Sequence, residues 1–144
     1  MRLMVLISMN SPLRIIVGIE PVAKGRPKVT FRNGRAWTYT PEKTENFQNE
    51  LQARVMRHSD KILHKPTPIK LTVTFYRSKS EWRLKGEKLP VCRPDLNNML
   101  ASTLDALNGV LWDDDSQVCA VNMRKRWSNK ETGYITLKIE QDTP

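Results

Sequence analysis

The chain has 144 residues, is 39 % hydrophobic, and carries a net charge of +9 with only two cysteines. That length and apolar content fit one folded domain and exclude wholesale disorder. Cys92 and Cys119 are too few and too scattered for a zinc signature or a disulfide framework, which points to a reducing, cytoplasmic setting. The basic balance favours a polyanionic partner, and phosphate backbones are the commonest.

In chain order, Met1 to Ile7 is apolar but far short of the roughly 20 residues that span a bilayer. The first 12 residues are therefore expected to be a loosely ordered lead-in or a first strand, with no membrane partner. Met9 is an alternative start. Leu13 to Glu20 is rich in β-formers and predicts a strand. Thr30 to Thr38 places Asn33-Gly34 between β-formers, the strongest short hairpin signal. The hairpin carries basic residues, as an arm reaching along DNA would. Pro41 opens a helical stretch to about Arg57, with Glu42 and Glu45 in its first turn, Arg54 and Arg57 in its last, and Phe47, Leu51 and Val55 at helical spacing.

Ile69 to Tyr76 alternates strictly, as a half-buried strand does. Residues 78–90 are polar and predict a mobile loop that orders on DNA. A second helix is expected from Leu96 to Leu107, with Leu96, Leu100, Thr103, Leu104 and Leu107 as its apolar face and Asn108-Gly109 as its stop. Val118 to Trp127 and Tyr134 to Glu140 predict two closing strands. The order implies a single α+β domain with a mixed or antiparallel sheet and two main helices. There is no internal repeat and no domain boundary.

Charge is unevenly placed. Lys24, Arg26, Lys28, Arg32 and Arg35 lie in a stretch without acids, and ten Lys or Arg fall between Arg57 and Arg93 against three acids. From Asp95 to Asp115 the sign inverts to five aspartates and no Lys or Arg. Clustered carboxylates repel unless a cation or a solvated turn relieves them. A basic surface beside metal-binding carboxylates is the electrostatic outline of a metal-dependent nuclease. A helix cap plus an acidic turn explains the same residues separately.

Three segments carry a family likeness: Arg93-Pro94-Asp95-Leu96-Asn97-Asn98-Met99-Leu100, Leu104-Asp105-Ala106-Leu107-Asn108-Gly109, and Trp112-Asp113-Asp114-Asp115-Ser116-Gln117-Val118. Together with Lys24-Gly25-Arg26-Pro27-Lys28 and Tyr39-Thr40-Pro41-Glu42-Lys43-Thr44, they resemble the RusA family of Holliday-junction resolvases over about Pro21 to Glu140. The resemblance implies an α+β homodimer, mostly encoded by phages and prophages. Such a protein binds four-way junction DNA and nicks it with Mg²⁺ (Mn²⁺ as substitute), without an organic cofactor, in recombination and repair.

The family relies on three aspartates and a lysine. Matched to this chain, the first aspartate falls on Asp95, the second on Asn97, the third on Asp115 with Asp114 beside it, and the lysine on Ala101. The resemblance thus makes Asp95, Asn97 and Asp115 catalytic and adds Asp114 to the metal set. Asn97 has lost the formal charge that a hard cation favours, and Ala101 cannot stabilise developing charge. Junction binding with weakened or absent cleavage is therefore expected.

If helix and strand lie side by side, the carboxylates of Asp95 and Asp115 can converge on one ion. The competing role for Asp95 is an N-cap accepting from the Asn97 or Asn98 amide. That for residues 113–115 is a solvated turn. Asp105 suits a structural hydrogen bond. His58 and His64 suit the surface.

DNA contact falls to Lys24, Arg26, Lys28, Arg32 and Arg35 on the arm. Lys79, Arg83, Lys85, Lys88 and Arg93 line the approach to Asp95. Trp82 is either a stacking residue or a cover on the core. Alternation places Arg124 and Arg126 on one face of their strand and Lys125 on the other. The alternatives to a nuclease are a non-catalytic branched-DNA-binding protein of the same fold and a basic RNA-associated protein.

Overall fold

The computed structural model describes residues 11–79 and 87–144. Strand β1 (Leu13–Val17) is followed by a hairpin of β2 (Lys28–Arg32) and β3 (Arg35–Tyr39). Helix α1 (Glu42–His58), strand β4 (Ile69–Arg77) and helix α2 (Leu96–Leu107) come next. A short 3₁₀ turn, η1 (Asp115–Gln117), leads into β5 (Val118–Trp127) and β6 (Tyr134–Gln141).

Four strands form one sheet in the order β1-β6-β4-β5. β6 pairs antiparallel with both β1 and β4, whereas β4 and β5 run parallel. The sheet is therefore mixed, and the fold is a single α+β domain. The sequence alternation sets its two faces. Ile69, Leu71, Val73 and Phe75 are fully buried beside Ile135, Leu137 and Ile139 of β6 and Ile15 and Val17 of β1. Both helices cover this face, α1 through Phe47, Leu51 and Val55, and α2 through Met99, Ala106 and Leu107. Removing one such side chain typically costs about 2–5 kcal/mol, so the core resists substitution. The other face carries Lys70, Thr72, Thr74 and Tyr76 of β4 with Thr136 and Lys138 of β6, and Tyr76 stacks on Tyr134 with centroids 4.1 Å apart.

The hairpin has the turn that Asn-Gly dictates. Asn33 and Gly34 both take positive φ, 50° and 73°, which twists the strands into register. Helix α1 buries Thr44, Phe47, Leu51 and Val55, the spacing of one helical stripe. Strand β1 stops at Val17, shorter than the run to Glu20 that its β-formers suggest.

Helix α2 has the expected bounds but turns a different face inward. Met99, Ser102, Thr103, Ala106 and Leu107 are buried, while Leu96, Leu100 and Leu104 are only partly covered. The reason lies in hydrogen bonding and size. Thr103 Oγ1 donates to the Met99 carbonyl at 2.9 Å, and Ser102 Oγ donates to the carbonyls of Met99 and Val22. Small side chains with satisfied hydroxyls let the segment before the hairpin and the Gln48 side chain of α1 close onto α2. Residues 80–86, which contain Trp82, Arg83 and Lys85, lie outside the described residues, as do residues 1–10.

Candidate functional site

The aspartates of the acidic stretch take four different roles. Asp113 accepts from His64 Nδ1 and from the Lys65 amide, each at 2.8 Å. The Lys65 amide and then the His64 ring hold its carboxyl below the usual carboxylate value. His64 is on the surface as expected, but it has a partner.

Asp114 is the N-cap of η1. Its carboxylate accepts from the Ser116 amide at 3.2 Å, and Gln117 closes a capping box. The Ser116 hydrogen bonds lower its pKa. The Gln117 side chain is buried: Oε1 accepts from the amides of Asp113 and Asp114, and Nε2 donates to the carbonyls of Leu63 and Thr67. This one side chain fastens the acidic turn to the segment leading into β4. Asp105 is structural, paired with Lys24 Nζ at 2.7 Å. Lys24, expected on the DNA arm, is thereby engaged in pinning the root of the hairpin to α2.

Asp95 and Asp115 remain. Asp95 stands at the N-cap position of α2, yet its side chain makes no capping hydrogen bond. Among the described residues neither carboxylate has a hydrogen-bond or ion-pair partner. Asn97 Oδ1 accepts from the Asn98 amide at 3.0 Å. Ala101 lies one helical turn after Asn97 and is partly exposed.

Asp95 and Asp115 do not converge within one chain. The parallel β4–α2–β5 crossover puts the start of α2 at the C-terminal ends of its strands and η1 at their N-terminal ends. Two sets of contacts fix this. Arg77, at the end of β4, donates to the Arg93 carbonyl, and Lys125, late in β5, donates from Nζ to the carbonyls of Cys92 (2.8 Å) and Pro94 (3.1 Å). At the other end Gln117 bonds Leu63 and Thr67, ahead of β4. Twelve residues of α2 span about 18 Å at 1.5 Å each, and the seven steps from Val118 to Lys125 span about 23 Å. The expectation that helix and strand lying side by side bring both carboxylates to one ion is therefore corrected. Parallel connection separates them by the length of the helix. Among the described residues no three His, Cys, Asp or Glu side chains are grouped to hold a metal. The described residues of one protomer alone do not fit a Mg²⁺ site.

The basic candidates divide by location. Arg26, Lys28, Arg32 and Arg35 are exposed on or beside the hairpin, and Arg93 is exposed two residues before Asp95. Lys125 was not expected near the site. Alternation does separate it from Arg124 and Arg126, and that inward direction was its signal. The segment before the hairpin is tied beside Asp95. The Lys24 amide donates to the Asn98 carbonyl at 2.9 Å, and the Gly25 amide donates to Thr44 Oγ1 at 2.9 Å. A Cβ at Gly25 would stand 2.8 Å from the Pro41 ring, so glycine permits this close crossing. No described helix is long and apolar enough to cross a membrane.

Residues 18–140 match the family described as Endodeoxyribonuclease RusA. A curated relative is the uncharacterized protein YqaN of Bacillus subtilis (strain 168), 31 % identical over 129 residues, covering 83 % of this chain and 90 % of that protein.

Proposed function

Because the chain belongs to the RusA endodeoxyribonuclease family, we propose that it binds four-way DNA junctions as a homodimer and cuts them weakly or not at all, its acidic site being completed only when two copies meet. The observation that carries this reading is the pair of uncommitted carboxylates, Asp95 and Asp115, at opposite ends of one β4–α2–β5 unit. A twofold axis through the middle of that unit exchanges its ends, so Asp95 and Asn97 of one copy meet Asp115 of the other, with Asp114 adjacent.

Strand β5 is the sheet edge on which such an axis can sit, and Val121 near its middle is 41 % exposed. Each composite site would hold Mg²⁺, or Mn²⁺ in its place, through carboxylate oxygens and the Asn97 amide oxygen. Bound there, the ion supplies Lewis-acid chemistry at a phosphate. The neutral Asn97 lowers affinity for that ion, and Ala101 offers no cation to the phosphate. Arg26, Lys28, Arg32, Arg35 and Arg93, with Lys85, supply the electrostatic grip on the backbone. This role belongs to recombination and repair in the cytoplasm of a bacterial or phage-infected cell.

Gel shifts with a synthetic four-way junction and a matched duplex test the reading, followed by Mg²⁺ and a nicking assay on the wild type and on the Asn97→Asp, Ala101→Lys protein. Junction preference in both proteins, with nicking strong only in the restored one, is the expected outcome. A folded restored protein that stays inert contradicts the site assignment. Equal affinity for junction and duplex contradicts the substrate.

A further inference from the structure

The β2–β3 hairpin stands away from the core, with nine of its ten strand residues exposed. Its register sorts the side chains into two unlike faces. Lys28 pairs with Tyr39, Thr30 with Trp37, and Arg32 with Arg35, all on one face, while Val29, Thr38, Phe31 and Ala36 make the other. Trp37 is 57 % and Tyr39 49 % exposed, far more than aromatic rings filling a core. No acidic residue occurs between Pro21 and Pro41. A surface with two open aromatic rings flanked by three cations suits a ligand that has both a π-face and a phosphate.

We propose that this face is a binding site for unpaired DNA bases, with Trp37 and Tyr39 stacking on the base and Lys28, Arg32 and Arg35 holding the adjoining phosphates. Residues two apart on a strand lie about 6.7 Å from each other, twice the roughly 3.4 Å spacing along one DNA strand, so the two rings are spaced to take one base between them. Duplex DNA hides its base faces, whereas a branch point held unstacked leaves the faces at the crossover open. The root of the arm is fixed to the first turn of α2 by the hydrogen bond that the Lys24 amide donates to the Asn98 carbonyl. A base held on the arm therefore lies on the same end of the molecule as Asp95, and the arm selects branched over continuous DNA. The inference rests on the proposed DNA-binding function and adds the chemistry of its selectivity.

The test compares the full-length wild type, Trp37→Ala, Trp37→Ala with Tyr39→Ala, and Phe31→Ser from the opposite face. Each is titrated against oligo-dT, a duplex, and a four-way junction carrying a fluorescent adenine analogue at the branch point. The double variant is expected to lose roughly 5- to 100-fold in affinity for oligo-dT and junction, to keep its duplex affinity, and to leave the analogue unquenched. Phe31→Ser is expected to match the wild type. The proposal is overturned if the aromatic substitutions leave oligo-dT affinity and quenching intact, if duplex binding falls equally, if Phe31→Ser causes the loss instead, or if the double variant elutes as a smaller species because the face joins two copies. A wild type that quenches through these rings but shows no junction preference sinks the four-way-junction reading and the selectivity given to the arm, and leaves only base binding by this face standing. A junction-selective wild type indifferent to both rings does the reverse. The hairpin packs on little else, so an unchanged thermal unfolding midpoint certifies each variant.

Discussion

The two ends of the β4–α2–β5 unit use their aspartates differently. At the η1 end, Asp113 and Asp114 are spent on structure, one joining His64 and Lys65, the other capping the 3₁₀ turn, and buried Gln117 locks both amides in place. At the α2 end, Asp95 occupies a cap position without capping, and Lys125 holds the preceding turn through two carbonyls. The η1 end is held by two carboxylates and leaves a third, Asp115, without a partner among the described residues. The α2 end is held around a single such carboxylate, Asp95. Acidity in a sequence therefore does not reveal a site until the hydrogen bonds of each oxygen are known.

Substitutions at each end sharpen this contrast. The largest effect is expected from restoring charge at the α2 end. Asn97→Asp and Ala101→Lys should each raise Mg²⁺-dependent junction nicking by about 10²–10³, read from initial rates on a labelled junction. Next is Gln117→Ala at the structural end, which leaves two partly buried amides and two carbonyls short of partners. It should destabilise by about 1–3 kcal/mol in urea unfolding, whereas Asp95→Asn should stay within about 0.5 kcal/mol of wild type. A costly Asp95→Asn would mean that this carboxylate is structural after all.

Lys125→Met should cost about 1–2 kcal/mol through its lost carbonyl contacts. In the restored protein its nicking rate should fall further than stability alone explains, because the turn before Asp95 loosens. The smallest effect is on pH dependence. Asp113 is held deprotonated in the fold, so its contribution is present above about pH 4 and fades as pH falls through its lower folded value. Asp113→Asn should lessen the fall of stability below about pH 4, measured by thermal unfolding.

Local signals made much of the fold legible. Asn33-Gly34 announces the hairpin because positive φ is a property of those residues themselves. The α2 bounds are readable because Asn108-Gly109 stops the helix where Gly109 takes a φ of 75°. The buried face of α2 was not readable, because Ser102 is drawn inward by the carbonyl of Val22, eighty residues earlier in the chain. Nor was the division of labour among Asp113, Asp114 and Asp115, since the first is set by His64 and Lys65, far away in sequence. The largest miss concerns Asp95 and Asp115. Periodicity identifies helix and strand, but whether β5 runs parallel or antiparallel to β4 decides which ends meet, and no local pattern encodes that choice.

Mixing two inactive chains tests the shared site most directly. In the Asn97→Asp, Ala101→Lys background, Asp95→Asn and Asp115→Asn proteins are each expected to be inert on junction DNA. After mixing and subunit exchange, the mixed dimers should regain nicking, because one of their two sites then receives Asp95 and Asp115 intact from opposite chains. Persistent inactivity, in mixtures shown to contain mixed dimers that bind the junction, would contradict a site built from two copies.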